Sequence, residues 1–175
     1  MSRPFPWVFP YVEEPHSKPR HPGGSPVLRP ALEVTLVGSL GQQKVLALVD
    51  SGGEHTLAAP FLSRTIGVDP DPNRELSLGI GGGSQLVRFT DVMLRISPPG
   101  AAADEFEEWQ AEVGFFNKWT PPWSVILGQV GFFDHFTVSM SRYSQALAVE
   151  PCNEFDERFK IQIRESEERR PRFKP

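Results

Sequence analysis

The chain contains only one cysteine, Cys152, in 175 residues, which excludes an internal disulfide framework and any multi-cysteine zinc site. It has no apolar run near the roughly 20 residues that a membrane helix needs. Its first 15 residues lack the continuous apolar region of a secretory signal. We therefore expect no membrane partner and a reducing, cytoplasmic location. With 18 basic and 22 acidic residues, the net charge is −4, and no basic field favours a nucleic-acid partner.

Motifs that identify several common enzyme classes are also missing. The sequence has no GxxxxGK[ST] phosphate loop, no HExxH zinc motif and no GxSxG nucleophile motif. The four histidines show no paired metal spacing, so no metal site is predicted. The glycine-rich stretch 79–84 lacks the third glycine of a dinucleotide motif, and no clear helix follows it.

The N-terminal 30 residues are proline-rich, with eight of the chain's 18 prolines. Because proline removes a backbone donor and fixes φ, we interpret 1–30 as an extended arm without regular ladders. Four aromatic residues alternate within it: Phe5, Trp7, Phe9 and Tyr11. They fit either a loose tail or an arm that docks its aromatic side chains on the rest of the protein.

Residues 31–150 are predicted to form one all-β domain, a barrel or a sandwich. Alternating apolar residues from Leu32 and the apolar run ending at Val49 predict a hairpin. The further strand candidates are 76–80, 86–96, 109–116, 123–127, 136–140 and 146–149, and the helix candidates are 58–66 and 129–135.

The C-terminal segment 151–175 carries dense mixed charge, which is typical of a solvated tail. Phe159, Ile161 and Ile163 alternate within it, so a short edge strand at about 158–164 is the alternative.

The most informative motif is Asp50-Ser51-Gly52, directly after the apolar run. An acid at the end of a buried strand needs partners, because an isolated buried charge is costly. Glycines allow backbone N–H groups to approach such a carboxylate. Taken alone, the motif also fits an aspartate that caps an ordinary turn.

Asp50-Ser51-Gly52 is the first of three motifs that occur in a definite order along the chain. Asp50-Ser51-Gly52, with Thr56 four residues beyond Gly52, resembles the catalytic loop of aspartic proteases. About thirty residues later, the stretch 79–83 is similar to the glycine-rich flap of retroviral proteases, and 125–128 (Val-Ile-Leu-Gly) is similar to their second loop. The ordered set resembles a retropepsin, the single-lobe aspartic protease, over residues 31–150. The commonest family loop has threonine at position 51 and alanine at position 53, where this chain has Ser51 and Gly53.

The resemblance implies a closed retropepsin-type β-barrel with one short helix. It also implies a homodimer, because the chain contains only one Asp-Ser-Gly motif and the mechanism needs two carboxylates. The implied function is an aspartic endopeptidase that acts on a peptide or protein substrate, with no metal or organic cofactor. The alternative is a retropepsin-like dimerisation and peptide-binding module with little or no turnover.

The resemblance also assigns roles to individual residues. Asp50 is the catalytic residue, acting as base and acid, and the other residues carry the loop-support and substrate-binding roles. These are Ser51, Gly52 and Thr56 as support of the catalytic loop; Gly81, Gly82 and Gly83 as flap and substrate-binding residues; and Ile126, Leu127 and Gly128 as the second loop.

Overall fold

A computed structural model of the chain describes residues 4–15, 24, 26–80, 83–119 and 121–159. Within these residues the chain forms twelve strands and two short helices. In chain order they are β1 (Trp7–Pro10), β2 (Val12–Glu13), β3 (Leu28–Arg29), β4 (Ala31–Gly38), β5 (Gly41–Val49), β6 (Leu57–Ala58), α1 (Pro60–Ile66), β7 (Glu75–Ile80), β8 (Gly83–Ile96), β9 (Glu107–Phe116), β10 (Val125–Leu127), β11 (Phe136–Ser141), β12 (Ala146–Pro151) and α2 (Cys152–Phe159).

The main sheet is a closed barrel. Its strand order is β4-β5-β10-β6-β9-β8-β7, and an additional pairing of β4 with β8 closes the first six strands into a ring. Strand β7 lies outside the ring and pairs with β8. The prediction of an all-β closed barrel is therefore confirmed, although two short helices are present instead of one.

Alternate side chains of the barrel strands point inwards and form the core. In β4, Leu32, Val34 and Leu36 are buried, whereas Glu33 between them is exposed. The same alternation buries Trp109 and three further side chains of β9. Burial of these apolar faces is the dominant favourable contribution to the fold.

Of the two predicted helices, the one at 58–66 is confirmed as α1. Helix α1 begins with Pro60 and ends before Gly67, which takes the left-handed conformation at φ 72°. The predicted helix at 129–135 is wrong, because that segment is a series of turns that includes Gly131 at φ 93°. Neither helix is long and apolar enough to cross a membrane.

Helix α2 lies in the segment expected to be a charged tail or an edge strand. Its Arg158 pairs with Glu150, whose carboxylate is almost fully buried at the end of β12. Residues 158 and 159 of the predicted edge strand belong to this helix, and residues 160–164 lie outside the described part of the chain.

The N-terminal arm docks on the barrel through its aromatic side chains. The expectation that it forms no regular ladder is wrong: β1 pairs antiparallel with β12 in the sheet β1-β12-β11, and β2 pairs antiparallel with β3. Trp7 and Phe9 are 4% and 6% exposed and belong to the main core. Pro10 is tolerated because β1 is an edge strand of its sheet.

Removal of the Trp7 side chain should destabilise the protein strongly. We expect Trp7→Ala to lower the free energy of unfolding by about 3–5 kcal/mol, because it leaves a large cavity in the core. Val8→Ala is the matched control: Val8 is the next residue of β1 but is 56% exposed, so its loss should change stability by less than about 1 kcal/mol. Denaturant unfolding measures both, and equal effects would show that the arm does not contribute to the core.

Candidate active site

Asp50 is the first residue after β5, and its backbone is tied to β10. Its amide N–H donates to the carbonyl of Leu127 at 3.0 Å. Its carboxylate is half-buried, and Oδ1 accepts a hydrogen bond of 3.0 Å from the amide N–H of Gly52. A Cβ at Gly52 would lie 3.4 Å from Oδ1, which is an ordinary van der Waals distance. The loop therefore presents one carboxylate, fixed at its base by backbone contacts.

The loop that follows Asp50 crosses the end of β10. This strand lies between β5 and β6, parallel to the first and antiparallel to the second. The chain must pass over the end of β10 on its way from β5 to β6. Two hydrogen bonds of 2.8 Å hold the crossing, from the N–H of Gln129 to the carbonyl of Gly53 and from the N–H of Val130 to the carbonyl of Glu54.

The buried hydroxyl of Thr56 joins the two loops at this crossing. It donates to the carbonyl of Val130 at 2.9 Å and accepts from the N–H of Gly128 at 3.2 Å. The backbone N–H of Thr56 also donates to Val130 at 3.0 Å. Thr56, predicted to support the loop, thus satisfies buried backbone groups of the second loop.

Gly128 allows the two loops to touch. A Cβ at this position would lie 2.3 Å from the carbonyl oxygen of His55 and 2.9 Å from that of Gly53. No side chain fits at these distances, so the crossing requires glycine here. The adjacent Leu127 is fully buried and Ile126 half-buried, which fixes the strand beneath the loop.

The side chain of Gln129 makes a contact that sequence reasoning missed. Its Nε2 donates to the carbonyl of Ser51 at 2.7 Å and so braces the exposed end of the loop. No local pattern points to this bond, because its partners are 78 residues apart in the chain. The Ser51 residue itself is exposed.

A small apolar cluster lies between the loop and the predicted flap. Its buried members come from β6, β8 and β9, and they are Leu57, Val87, Phe89 and Phe116. Leu78 of β7 and Ile126 of the second loop pack against this cluster. The ring of His55 contacts Phe89, with 5.0 Å between ring centroids, and no partner for its buried Nδ1 is found among the described residues.

The predicted flap is the hairpin of β7 and β8. The two strands pair from Glu75 opposite Arg88 to Ile80 opposite Gly83, whereas β8 pairs with β9 only from Val87 onwards. Residues 75–80 and 83–86 therefore leave the barrel as a two-stranded hairpin. Gly83 is exposed at its end, and the other two predicted flap glycines, Gly81 and Gly82, lie outside the described residues.

The predicted loop residues thus fall into one assembly. Those of the first loop meet those of the second at the crossing, and Leu78 of the hairpin shares the apolar cluster with Ile126 of the second loop. This arrangement presents a single half-buried carboxylate, Asp50, on a loop held by backbone hydrogen bonds.

No protein-family model matches the chain, and the search of curated proteins finds no match either. Any function must therefore be inferred from the residues and geometry of the site.

A methyl group at Gly128 should disrupt the crossing. We expect Gly128→Ala to lower the free energy of unfolding by at least about 1–3 kcal/mol, because its Cβ would overlap backbone atoms that cannot move aside. Gly79→Ala in β7 is the matched control, since nothing lies within 4 Å of its Cβ and alanine is at least as favourable as glycine in a strand. Thermal or denaturant unfolding should separate the two variants; an unaffected Gly128→Ala protein would contradict the tight crossing.

Proposed function

We propose that the protein is an aspartic endopeptidase of retropepsin type, active as a homodimer whose two Asp50 carboxylates form one site. The observation that carries the proposal is the half-buried Asp50 carboxylate on a glycine-flanked loop that crosses β10.

One chain supplies half of the catalytic pair. Among its other aspartates, Asp69 and Asp71 precede prolines, Asp104 precedes a glutamate, and Asp91 is paired with Arg74 on the barrel surface. None of them follows a buried strand and precedes a hydroxyl residue and glycine. A two-fold symmetric dimer would supply the second carboxylate, because the same surface of each copy then brings one Asp50 to the axis.

The paired carboxyl groups would cleave the peptide bond by activating water. Two carboxyls within about 3 Å share one proton, since both cannot be ionised at that distance. The ionised Asp50 takes a proton from water as the water oxygen attacks the carbonyl carbon. The protonated Asp50 gives its proton to the carbonyl oxygen, and proton transfer to the leaving nitrogen then accompanies C–N cleavage.

The hairpin supports an extended peptide as the substrate class. Extended peptides bind proteins by adding a strand, with main-chain hydrogen bonds for affinity and pockets for alternate side chains. A two-stranded hairpin above an apolar cluster offers both kinds of contact. In this proposal the hairpins of the two copies close over an extended peptide, and the Ser51 hydroxyls stabilise the two loops across the dimer.

Replacement of Asp50 tests the catalytic assignment. We expect Asp50→Asn to reduce peptide hydrolysis by about a hundredfold or more, because a neutral amide cannot act as the base. Asparagine keeps an oxygen that can accept from Gly52, so the fold and the dimer should survive. The control is Asp69→Asn, which removes an exposed aspartate outside the site and should leave hydrolysis unchanged.

Hydrolysis of a mixed peptide library by the wild-type protein, blocked by a statine inhibitor that mimics the tetrahedral intermediate, is the accompanying measurement. Hydrolysis by Asp50→Asn at the wild-type rate would contradict the assignment. Binding of library peptides without cleavage would instead support the alternative, a peptide-binding module.

The shared site makes activity depend on concentration. Specific activity should fall on dilution below the dimer dissociation constant, which sedimentation measures independently. An excess of Asp50→Asn protein should suppress wild-type activity further, because each mixed dimer holds only one ionisable carboxyl. Constant specific activity through that range, with no suppression by the variant, would rule out a site shared between two copies.

A further inference from the structure

Two carboxylates face each other on the barrel surface where the hairpin begins. Asp91 of β8 and Glu112 of β9 are direct partners in the antiparallel register. Like charges directly opposite one another destabilise a strand pair. The pair therefore needs a compensating cation, and sequence periodicity gives no indication of which residue supplies it.

Arg74 supplies that charge from the base of the hairpin. Its Nη1 and Nη2 each lie 3.2 Å from Oδ1 of Asp91, and Nη2 also donates to Oε2 of Glu112. The hydrogen bond to Glu112 contributes most to raising the pKa of the Arg74 guanidinium, and the hydrogen bonds to Asp91 raise it further. One guanidinium thus bridges two strands of the barrel.

The position of Arg74 in the chain connects this bridge with the hairpin. It is the residue before β7, and its carbonyl accepts from the N–H of Phe89 at 2.8 Å. The next residue, Glu75, pairs with Arg88 at 2.8 Å. The last barrel-bound pair of β8 and β9 is Val87 opposite Phe116, so these ion pairs lie where the hairpin separates from the barrel.

We propose that Arg74 is a positioning residue: by bridging Asp91 and Glu112 it fixes the base of the β7–β8 hairpin to the barrel and sets the position of the hairpin over the Asp50 loop. The effect on peptide binding rests on the proposed function, whereas the effect on hairpin order does not. Exposed single ion pairs contribute little. Arg74 contributes more because it also cancels the repulsion between two opposed carboxylates.

Amide hydrogen exchange on the full-length chain tests the bridge directly. We expect Arg74→Met, which keeps the length of the side chain and removes its charge, to accelerate exchange in 75–80 and 83–86 by about fivefold while exchange in β4 and β5 stays unchanged. Arg95→Met is the matched control. Arg95 pairs with Glu108 across the same two strands, β8 and β9, but at the end away from the hairpin.

Second substitutions distinguish the bridge from a general loss of stability. Adding Asp91→Asn to Arg74→Met should slow hairpin exchange again, because it removes the repulsion that Arg74 no longer cancels. Arg74→Lys should fall between wild type and Arg74→Met, since a lysine can reach one carboxylate but cannot bridge two. Equal acceleration in Arg74→Met and Arg95→Met, or no relief from Asp91→Asn, would overturn the proposal.

Kinetics then test the consequence for binding. Arg74→Met should raise KM for a peptide substrate about threefold to fivefold while kcat changes less than about twofold, because the variant leaves the Asp50 loop intact. A loss confined to kcat would contradict a positioning role. A wild-type protein without peptidase activity would contradict the proposed function, and the exchange measurements would still decide the role of Arg74.

Discussion

The structure of the site depends on the insertion of β10 between β5 and β6. The strand is only three residues long, yet it pairs with both neighbours and forces the chain from Asp50 to Thr56 to cross its end. Backbone hydrogen bonds at this crossing are worth more together than separately, because each one holds the geometry that the others need. The close approach is allowed by one glycine, Gly128, against the backbone of His55.

This constraint explains why a barrel with a large apolar core can hold a polar group at its edge. The carbonyls and amides of the crossing are satisfied by one another and by the hydroxyl of Thr56, so burial of the loop base leaves few unpaired groups. Asp50 emerges from that base half-buried, with a backbone N–H directed at it. The loop can therefore carry a charge without a buried counterion.

Sequence patterns predicted the elements whose causes are local. Alternation in Leu32, Val34 and Leu36 predicted β4 with its buried face, and glycine at 128 agreed with a tight loop. The strand pairing that closes the ring could not be predicted from the sequence, because it joins residues far apart in the chain, such as Thr35 and Arg95. The segment 129–135 looked helical, but the amides of Gln129 and Val130 bind the loop that follows Asp50, and the later residues of the segment form turns. In the arm, the proline content obscured a strand whose alternating aromatics were visible.

The hairpin receives two different kinds of support. Leu78 of β7 packs on the cluster that includes Phe89, which is a non-directional contact tolerant of small shifts. At the base of the hairpin, Arg74 binds two carboxylates, and such hydrogen bonds depend on direction and distance. The apolar contact thus supports the presence of the hairpin near the loop, whereas the charged contact restricts its angle. Because Asp91 and Glu112 repel each other without Arg74, the barrel surface itself favours the anchored arrangement.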